Sequence, residues 1–426
     1  MAEMKDSGIE WIGKIPKDWE ITKINNVYEL RNTKVSDRDY EPLSVTMNGI
    51  VPQLENAAKT NAHDDRKLVL KGDFAINSRS DRRGSCGISK YNGSVSLINT
   101  VLKPKDNMNP DYYNYLFHTT QFSSEYFKWG HGIVSDLWTT NWQDMKNITI
   151  TKPPYNEQIK ISDFLEKQCS EIDALTSDIE KQIELLEDYK KSVITEVVTK
   201  GLNPDVEMKD SGIEWIGEIP KDWNVGKIKH YASSISKGNG ITKEDIVENG
   251  TQDCVRYGEI YTKYENQFFD CITKTELSKI ISPKYFSYGD ILLVGTGELI
   301  EEIGKNIVYL GDKKCLAGGD IVILKHQEYP AFLNYVLNSN YVQNQKSYGK
   351  AKLKVVHITG TEIGNLWVAI PSYDEQKKIA DYLDTIVDEI NQCINQKLKQ
   401  IDIINNYKKS LIYEYVTGKK EVPSNE

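Results

Sequence analysis

Apolar residues recur every seven positions along two stretches of the chain. Leu165, Ile172, Ile179, Leu186 and Val193 form one stripe, and Leu175, Ile183, Tyr189 and Val197 fill its other half. Leu383, Ile390, Ile404 and Leu411 repeat the pattern, interrupted at Lys397, which Ile394, Leu398 and Ile401 flank. This period predicts two long amphipathic helices, each with a coiled-coil seam. Neither stretch contains Gly or Pro, and Pro154 and Pro371 sit just ahead of the starts, where proline is tolerated. A rod of about 65 Å cannot bury such a stripe alone, so the two helices are expected to pack on each other. An antiparallel pair is expected, because a parallel one would require the chain to travel back the whole rod length. Elsewhere the apolar runs are short and strand-like. Leu68 to Leu70 and Phe74 to Ile76 flank a Lys71-Gly72-Asp73 turn, and Tyr288-Gly289-Asp290 precedes Ile291 to Val294 in the same way.

The two helical stretches are copies. Glu157 to Thr199 overlays Glu375 to Thr417 at a constant offset of 218, and Met4 to Trp19 returns as Met208 to Trp223 with one change, Lys14 to Glu218. The segments between share almost nothing, and the second is 14 residues longer. A tandem duplication of variable and constant parts fixes two halves and implies a pseudo-two-fold arrangement, suited to two copies of one partner and two different targets. The fold class expected is α+β, with two globular, strand-rich regions separated by the antiparallel helices. The repeated opening, with Trp11, Ile15, Pro16 and Trp19 and their copies Trp215, Ile219, Pro220 and Trp223, reads as a structural plug on the helix ends.

The net charge of −9 argues against a nucleic-acid binder until it is divided along the chain. Residues 157–199 hold 11 acids and 5 bases and residues 375–417 hold 7 and 6, so the helices carry −7 of the total. The variable regions are therefore near neutral and leave room for local basic patches. Six cysteines without C-x-x-C spacing read as reduced, mostly core residues. No run of 18 apolar residues and no export signal pattern appears, so a cytoplasmic location is the expectation.

The candidate readers of DNA lie after the shared turns. The first copy continues with Asn77, Arg79, Arg82 and Arg83, residue types that pair bidentately with adenine and guanine edges. The second region has no acid from Tyr329 to Thr361 but has Lys346, Lys350, Lys352 and Lys354 with Tyr348 and His357; a strand over 350–355 would turn the last three lysines to one face, toward phosphates. The counterpart in the first region supplies neutral Thr139, Thr140 and Asn141. Lys90, Lys237, Asn239, Arg256 and Tyr257 complete the set. Solvated loops and a lysine-protected edge strand are the plainer alternatives. On the helices, the identity of Glu157-Gln158 with Glu375-Gln376, and of Tyr189-Lys190 with Tyr407-Lys408, exceeds what a seam requires and points to partner docking.

Catalytic signals fail. Lys152-Pro153-Pro154-Tyr155 lacks the acceptor that begins an amino-methyltransferase signature, Gly304-Lys305 lacks the rest of a phosphate loop, and the acids from Asp205 to Glu207 are compressed into one linker. The six histidines show no metal spacing.

The SGIEWIGxIPxxW opening, the Pro-x-x-x-Glu-Gln-x-x-Ile helix start in both copies and the alternating layout together resemble the specificity subunit of type I restriction-modification systems. The resemblance covers essentially the whole chain. It implies target recognition domains at 1–153 and 201–370, conserved helices at 154–200 and 371–418, and a tail at 419–426. Each domain would read half of an asymmetric bipartite DNA site, and the rod would set the gap. The helices would dock two methyltransferase (modification) subunits, joined by two translocase-nuclease (restriction) subunits. S-adenosylmethionine, ATP and magnesium would belong to those partners, so no cofactor and no catalytic residue is expected here. Two other readings stay open: the specificity module of another type of restriction-modification system, and a coiled-coil adaptor that reads no DNA. The partner encoded beside the chain separates the first, and salt-dependent, sequence-specific DNA binding the second.

Overall fold

In the computed structural model the described residues are 3–54, 63–133, 138–297, 303–350 and 356–423. They form two units. One comprises Met1–Ile179 with Leu398–Glu426, the other Glu180–Lys397. The long helices Tyr155–Lys200 and Tyr373–Val416 therefore each contribute one part to either unit.

In the first unit, the strands Cys86–Ile88, Phe74–Asn77, Asn99–Pro104 and Tyr28–Leu30 form an antiparallel sheet in that order. The helices Pro110–Phe117 and Thr120–Lys128, capped by the Asn109 and Thr119 side chains, cover it. Tyr28, Phe74, Tyr113, Phe117 and Phe122 interlock between sheet and helices, and Phe117 stacks on Phe122 with ring centroids 4.5 Å apart. Ile161 and Leu165 from one long helix and Leu411, Tyr415 and Val416 from the other join this core. In the second unit Ala232–Lys237, Ile321–His326, Ile291–Val294, Asn306–Tyr309 and Gln267–Phe268 form the corresponding sheet. Its core takes Ile194, Val197 and Val198 from the first long helix and Ile379, Ala380 and Leu383 from the second.

The helical stretches run antiparallel within each unit. In the first, Phe164 meets Tyr415, with centroids 4.6 Å apart, and Asp173 meets Lys408. In the second, Lys190 donates to Asn391 at 3.1 Å and Gln182 accepts from Lys397 at 2.6 Å. The lysine that interrupts the heptad stripe thus has an interhelical amide opposite it. The seam is narrower than its sequence suggests. Leu175 and Tyr189 stand exposed, while Cys169 and Ile194, outside the heptad stripe, are buried.

The shared turn is the same device in both units. Asp73 is buried, accepts from Leu70 N and takes a bidentate pair from Arg31 at 2.5 and 3.0 Å. Asp290 accepts from Ser287 N and pairs with Lys325 at 3.0 Å. Gly72 and Gly289 sit at φ +92° and +85°, where a side chain would be strained. The repeated opening closes each unit at a helix end. Trp19 is buried, its indole donates to Glu157 Oε2 at 2.9 Å, and its ring lies against Gly418 beyond the second long helix. In the second unit buried Trp223 lies against Gly201, just beyond the first long helix. The identical sequence is not used identically: Trp11 is 9% exposed and edge-on to Phe122, whereas Trp215 is 38% exposed beside Tyr348.

Candidate nucleic-acid interface

In the first unit the strand Phe74–Asn77 delivers the arginine loop. Asn77 Oδ1 accepts from Arg79 N at 3.1 Å, a one-turn 3-10 helix follows over Ser80–Arg82, and Arg79 Nε lies 3.1 Å from Asp81. Arg83 stacks over Phe127, its guanidinium carbon 5.0 Å from the ring centroid. Arg82 is largely exposed, with Nε 3.8 Å from Asp81. Arg79 forms an antiparallel bridge with Thr139, and Ser80 N donates to Trp138 O, so the loop and the downstream segment form one surface. Beside them opens a cleft of about 680 Å³, lined by Asn77, Arg79, Arg82 and Arg83.

The second unit repeats the geometry with other chemistry. Thr296–Gly297, following the strand Ile291–Val294, pairs antiparallel with Val356–His357, so that Thr296 faces His357. Thr296 Oγ1 lies 3.1 Å from His357 Nδ1. Thr296 and His357 thus stand where Arg79 and Thr139 stand in the first copy. Lys237, Asn239 and Arg256 converge around Gly318 and Asp320, more than 60 residues further along the chain. Asn239 bridges Gly318, Lys237 lies 3.5 Å from Asp320, and a Cβ on Gly318 would come 3.3 Å from Arg256 Cα. Tyr257 is exposed at the start of the helix that Arg256 caps.

The structure overturns one expected contact and gives several others a partner within the chain. Thr140 is fully buried, its hydroxyl donating to Tyr126 O at 2.9 Å, because its neighbour Thr139 takes the outward face of the same extended segment. Asn141 is exposed but uses Oδ1 to cap the helix Trp142–Met145. Arg256 is tied to Glu259 at 2.8 Å, and Lys350 donates to His357 O and pairs with Glu362 at 2.9 Å. Lys90 is exposed near the Lys71–Asp73 turn, at the opposite end of the strand from Arg79. Lys352 and Lys354 lie outside the described residues, as does most of the strand expected over 350–355.

The residues expected to dock partners divide in two. Gln158 and Gln376 are buried staples. Gln158 accepts from Asn109 N and donates to Pro153 O, while Gln376 accepts from Tyr329 N and donates to Pro371 O. Glu157 holds Trp19, and burial raises its carboxyl above the usual range. Lys190 and Lys408 cross to the opposite helix. Glu375, half-buried, lies beside Gly201. Tyr189 and Tyr407 remain exposed, each four residues after another exposed apolar side chain: Leu185 at 67% and Ile403 at 68%. These two pairs are equivalent at the offset of 218.

Lys346, the first lysine of the basic stretch expected to face phosphates, is instead buried. Lys346 donates to Gly304 O, Asn306 Oδ1 and Leu337 O at 2.7–2.9 Å, with no carboxylate partner among the described residues, and burial brings its pKa down to about 7. Nothing in its exposed-looking, polar neighbourhood signals this. Among the described residues no group of three or more His, Cys, Asp or Glu is placed to hold a metal.

Over residues 16–185 and 220–401 the chain matches the family described as type I restriction modification DNA specificity domain. It is similar to the type I restriction enzyme MjaVIII specificity subunit of Methanocaldococcus jannaschii, 24% identical over 96% of this chain and 94% of that protein. The putative type I restriction enzyme MjaX specificity subunit of the same organism is 26% identical over 96% of each. Among solved structures, a chain studied for complex assembly and conformational transition of the type I R-M system matches with TM-score 0.70, at 12% identity over 95% of this chain and 99% of that one. The HsdS subunit from Thermoanaerobacter tengcongensis matches with TM-score 0.50, at 14% identity over 95% and 98%. At these identities the structural likeness shows the fold.

Proposed function

The chain belongs to the type I restriction-modification DNA specificity family, and from that premise we propose how its two units divide the work of reading DNA. The chain is a non-catalytic specificity subunit: it recognises DNA sequence and assembles into a type I complex. The face built by Arg79, Arg82 and Thr139 grips one half-site, and the face built by Thr296, His357, Lys237 and Asn239 grips the other. One observation carries this reading: the same loop-to-segment bridge occurs in both units, Arg79 with Thr139 and Thr296 with His357, bearing different side chains. A shared scaffold with exchanged chemistry predicts two unlike half-sites and hence an asymmetric motif.

The exposed pairs Leu185 with Tyr189 and Ile403 with Tyr407 are the surfaces for two methyltransferase subunits. Two translocase-nuclease subunits complete the restriction-competent assembly. S-adenosylmethionine, ATP and magnesium serve those partners, and the methyltransferase reaches an adenine flipped out of the duplex.

The test is co-expression with the methyltransferase subunit encoded beside it, in an unmodified host, followed by genome-wide mapping of methylated adenines. One split, asymmetric motif is expected, and exchange of residues 20–150 for another domain should change one half alone. A palindromic motif, or a stable complex that adds no methylation, would overturn the proposal.

A further inference from the structure

The cleft beside the arginine loop has a second wall that its sequence does not advertise. The hairpin Leu43–Thr46 with Gly49–Pro52 lines it through Val45, Thr46 and Met47. Met47 is 70% exposed at the hairpin tip. An isolated exposed apolar side chain is ordinary; three features set this one apart. The tip is internally hydrogen-bonded: Thr46 Oγ1 donates to Gly49 O at 2.9 Å and accepts from Asn48 N at 3.2 Å. The hairpin is seated backbone to backbone on the reading sheet, where a Cβ on Gly87 would come 2.7 Å from Gly49 Cα. Finally, the Met47 methyl lies 4.0 Å from where a Cβ of Gly84 would stand, which places it beside the arginine loop.

From this placement we infer that the hairpin is the second jaw of the first unit's base-reading cleft, and that Met47 contacts the 5-methyl group of a thymine in the half-site read by the arginine loop. The inference rests on the proposed DNA-reading role of this face. The chemistry is complementary. Arginine reads acceptor atoms of guanine, whereas the thymine methyl is the apolar mark in the major groove and needs an apolar side chain. Methionine is unbranched and adaptable, and so can follow a base edge without a fixed rotamer.

The experiment uses the complete methyltransferase complex and duplexes carrying the mapped motif. Each thymine of the half-site is replaced singly by deoxyuridine, which lacks only the methyl. The wild-type complex should lose roughly fourfold in affinity at one position, the value of one buried methyl group. The Met47→Ala complex should bind thymine and deoxyuridine duplexes alike at that position. Deoxyuridine at every position without effect on wild type, or an equal loss in the Met47→Ala complex, would overturn the assignment of Met47. A wild-type complex that shows no sequence preference at all would instead overturn the DNA-reading role itself. Because Met47 is exposed, the Met47→Ala chain should unfold at the wild-type temperature, which separates lost contact from lost fold.

Discussion

Lys408 Nζ lies 2.5 Å from Asp173 Oδ1, joining the two long helices within the first unit. The equivalent contact in the second unit, at the offset of 218, runs from Lys190 to Asn391 at 3.1 Å. One geometry is therefore served by a carboxylate in one copy and by an amide in the other. Asp173 is largely exposed, where solvent screens the charge and an ion pair contributes about 0–1 kcal/mol. Asp173→Asn should accordingly change unfolding free energy by less than about 1 kcal/mol. Lys408→Ala should be the more harmful change, since the lysine stem is three-quarters covered and its packing is lost with the charge. Thermal or denaturant unfolding of the two variants orders them. A larger loss for Asp173→Asn would show that charge, not the cross-helix bridge as such, holds the pair.

Glu157 supports Trp19 at a thermodynamic disadvantage. Burial raises its carboxyl pKa, partly offset by the hydrogen bond from the indole. A carboxyl whose folded pKa lies above its unfolded one binds more protons when folded, so its contribution favours folding at low pH and declines as pH rises through the folded value. Glu157→Gln keeps an acceptor for Trp19 Nε1 without the buried charge, and should leave stability at pH 7 unchanged or raised. Glu157→Ala should lower it by about 1–3 kcal/mol by leaving a buried donor unpaired. The second copy shows that such an orphan is survivable, because Trp223 Nε1 has no partner among the described residues. Unfolding midpoints of both variants at pH 5 and pH 7 check the sign.

Lys346 gives the second unit an alkaline preference. Its amine is buried among three neutral acceptors, and its pKa falls to about 7 in the folded chain. Between that value and the ordinary lysine value the unfolded chain holds a proton that the folded chain has released. Stability should then rise with pH across this window, by up to about 1.4 kcal/mol per pH unit from this group. Lys346→Met should flatten the slope between pH 7 and pH 9.5, and should lower stability throughout because Gly304 O and Leu337 O lose their donor. Identical slopes for the variant and the wild type would mean that the folded lysine keeps its charge.

The long helices were legible because a heptad period survives in the sequence whatever the helix touches. Their identical surface residues were not, because identity between copies marks any shared contact, internal or external. Gln158 and Gln376 satisfy Asn109 N and Tyr329 N, donors 49 and 47 residues away, and no local pattern reveals such partners. The arginine loop was legible from residue type and from its place after a strand. Burial of Thr140 could have been read from strand alternation beside Thr139. The hairpin carrying Met47, and the meeting of Asn239 with Gly318, are nonlocal pairings that composition does not announce.

With the staples and bridges accounted for, the exposed apolar residues on the helices need another explanation. Leu185 and Tyr189, and equally Ile403 and Tyr407, lie four residues apart and so share one helix face. Burying a large apolar side chain is worth about 1.5–3 kcal/mol, so leaving the same pair exposed in both copies is costly in solubility unless something covers it. A methyltransferase subunit at each pair would do so. Tyr407→Ser with Ile403→Ser should weaken binding of one methyltransferase copy by at least tenfold, without lowering the unfolding temperature, since neither side chain supports the core. The same changes at Leu185 and Tyr189 should remove the other copy, and the fourfold variant should yield a chain that retains its fold but recruits none. Native mass spectrometry of the three co-expressed variants counts the copies directly; two methyltransferases retained by the fourfold variant would assign docking to a different surface.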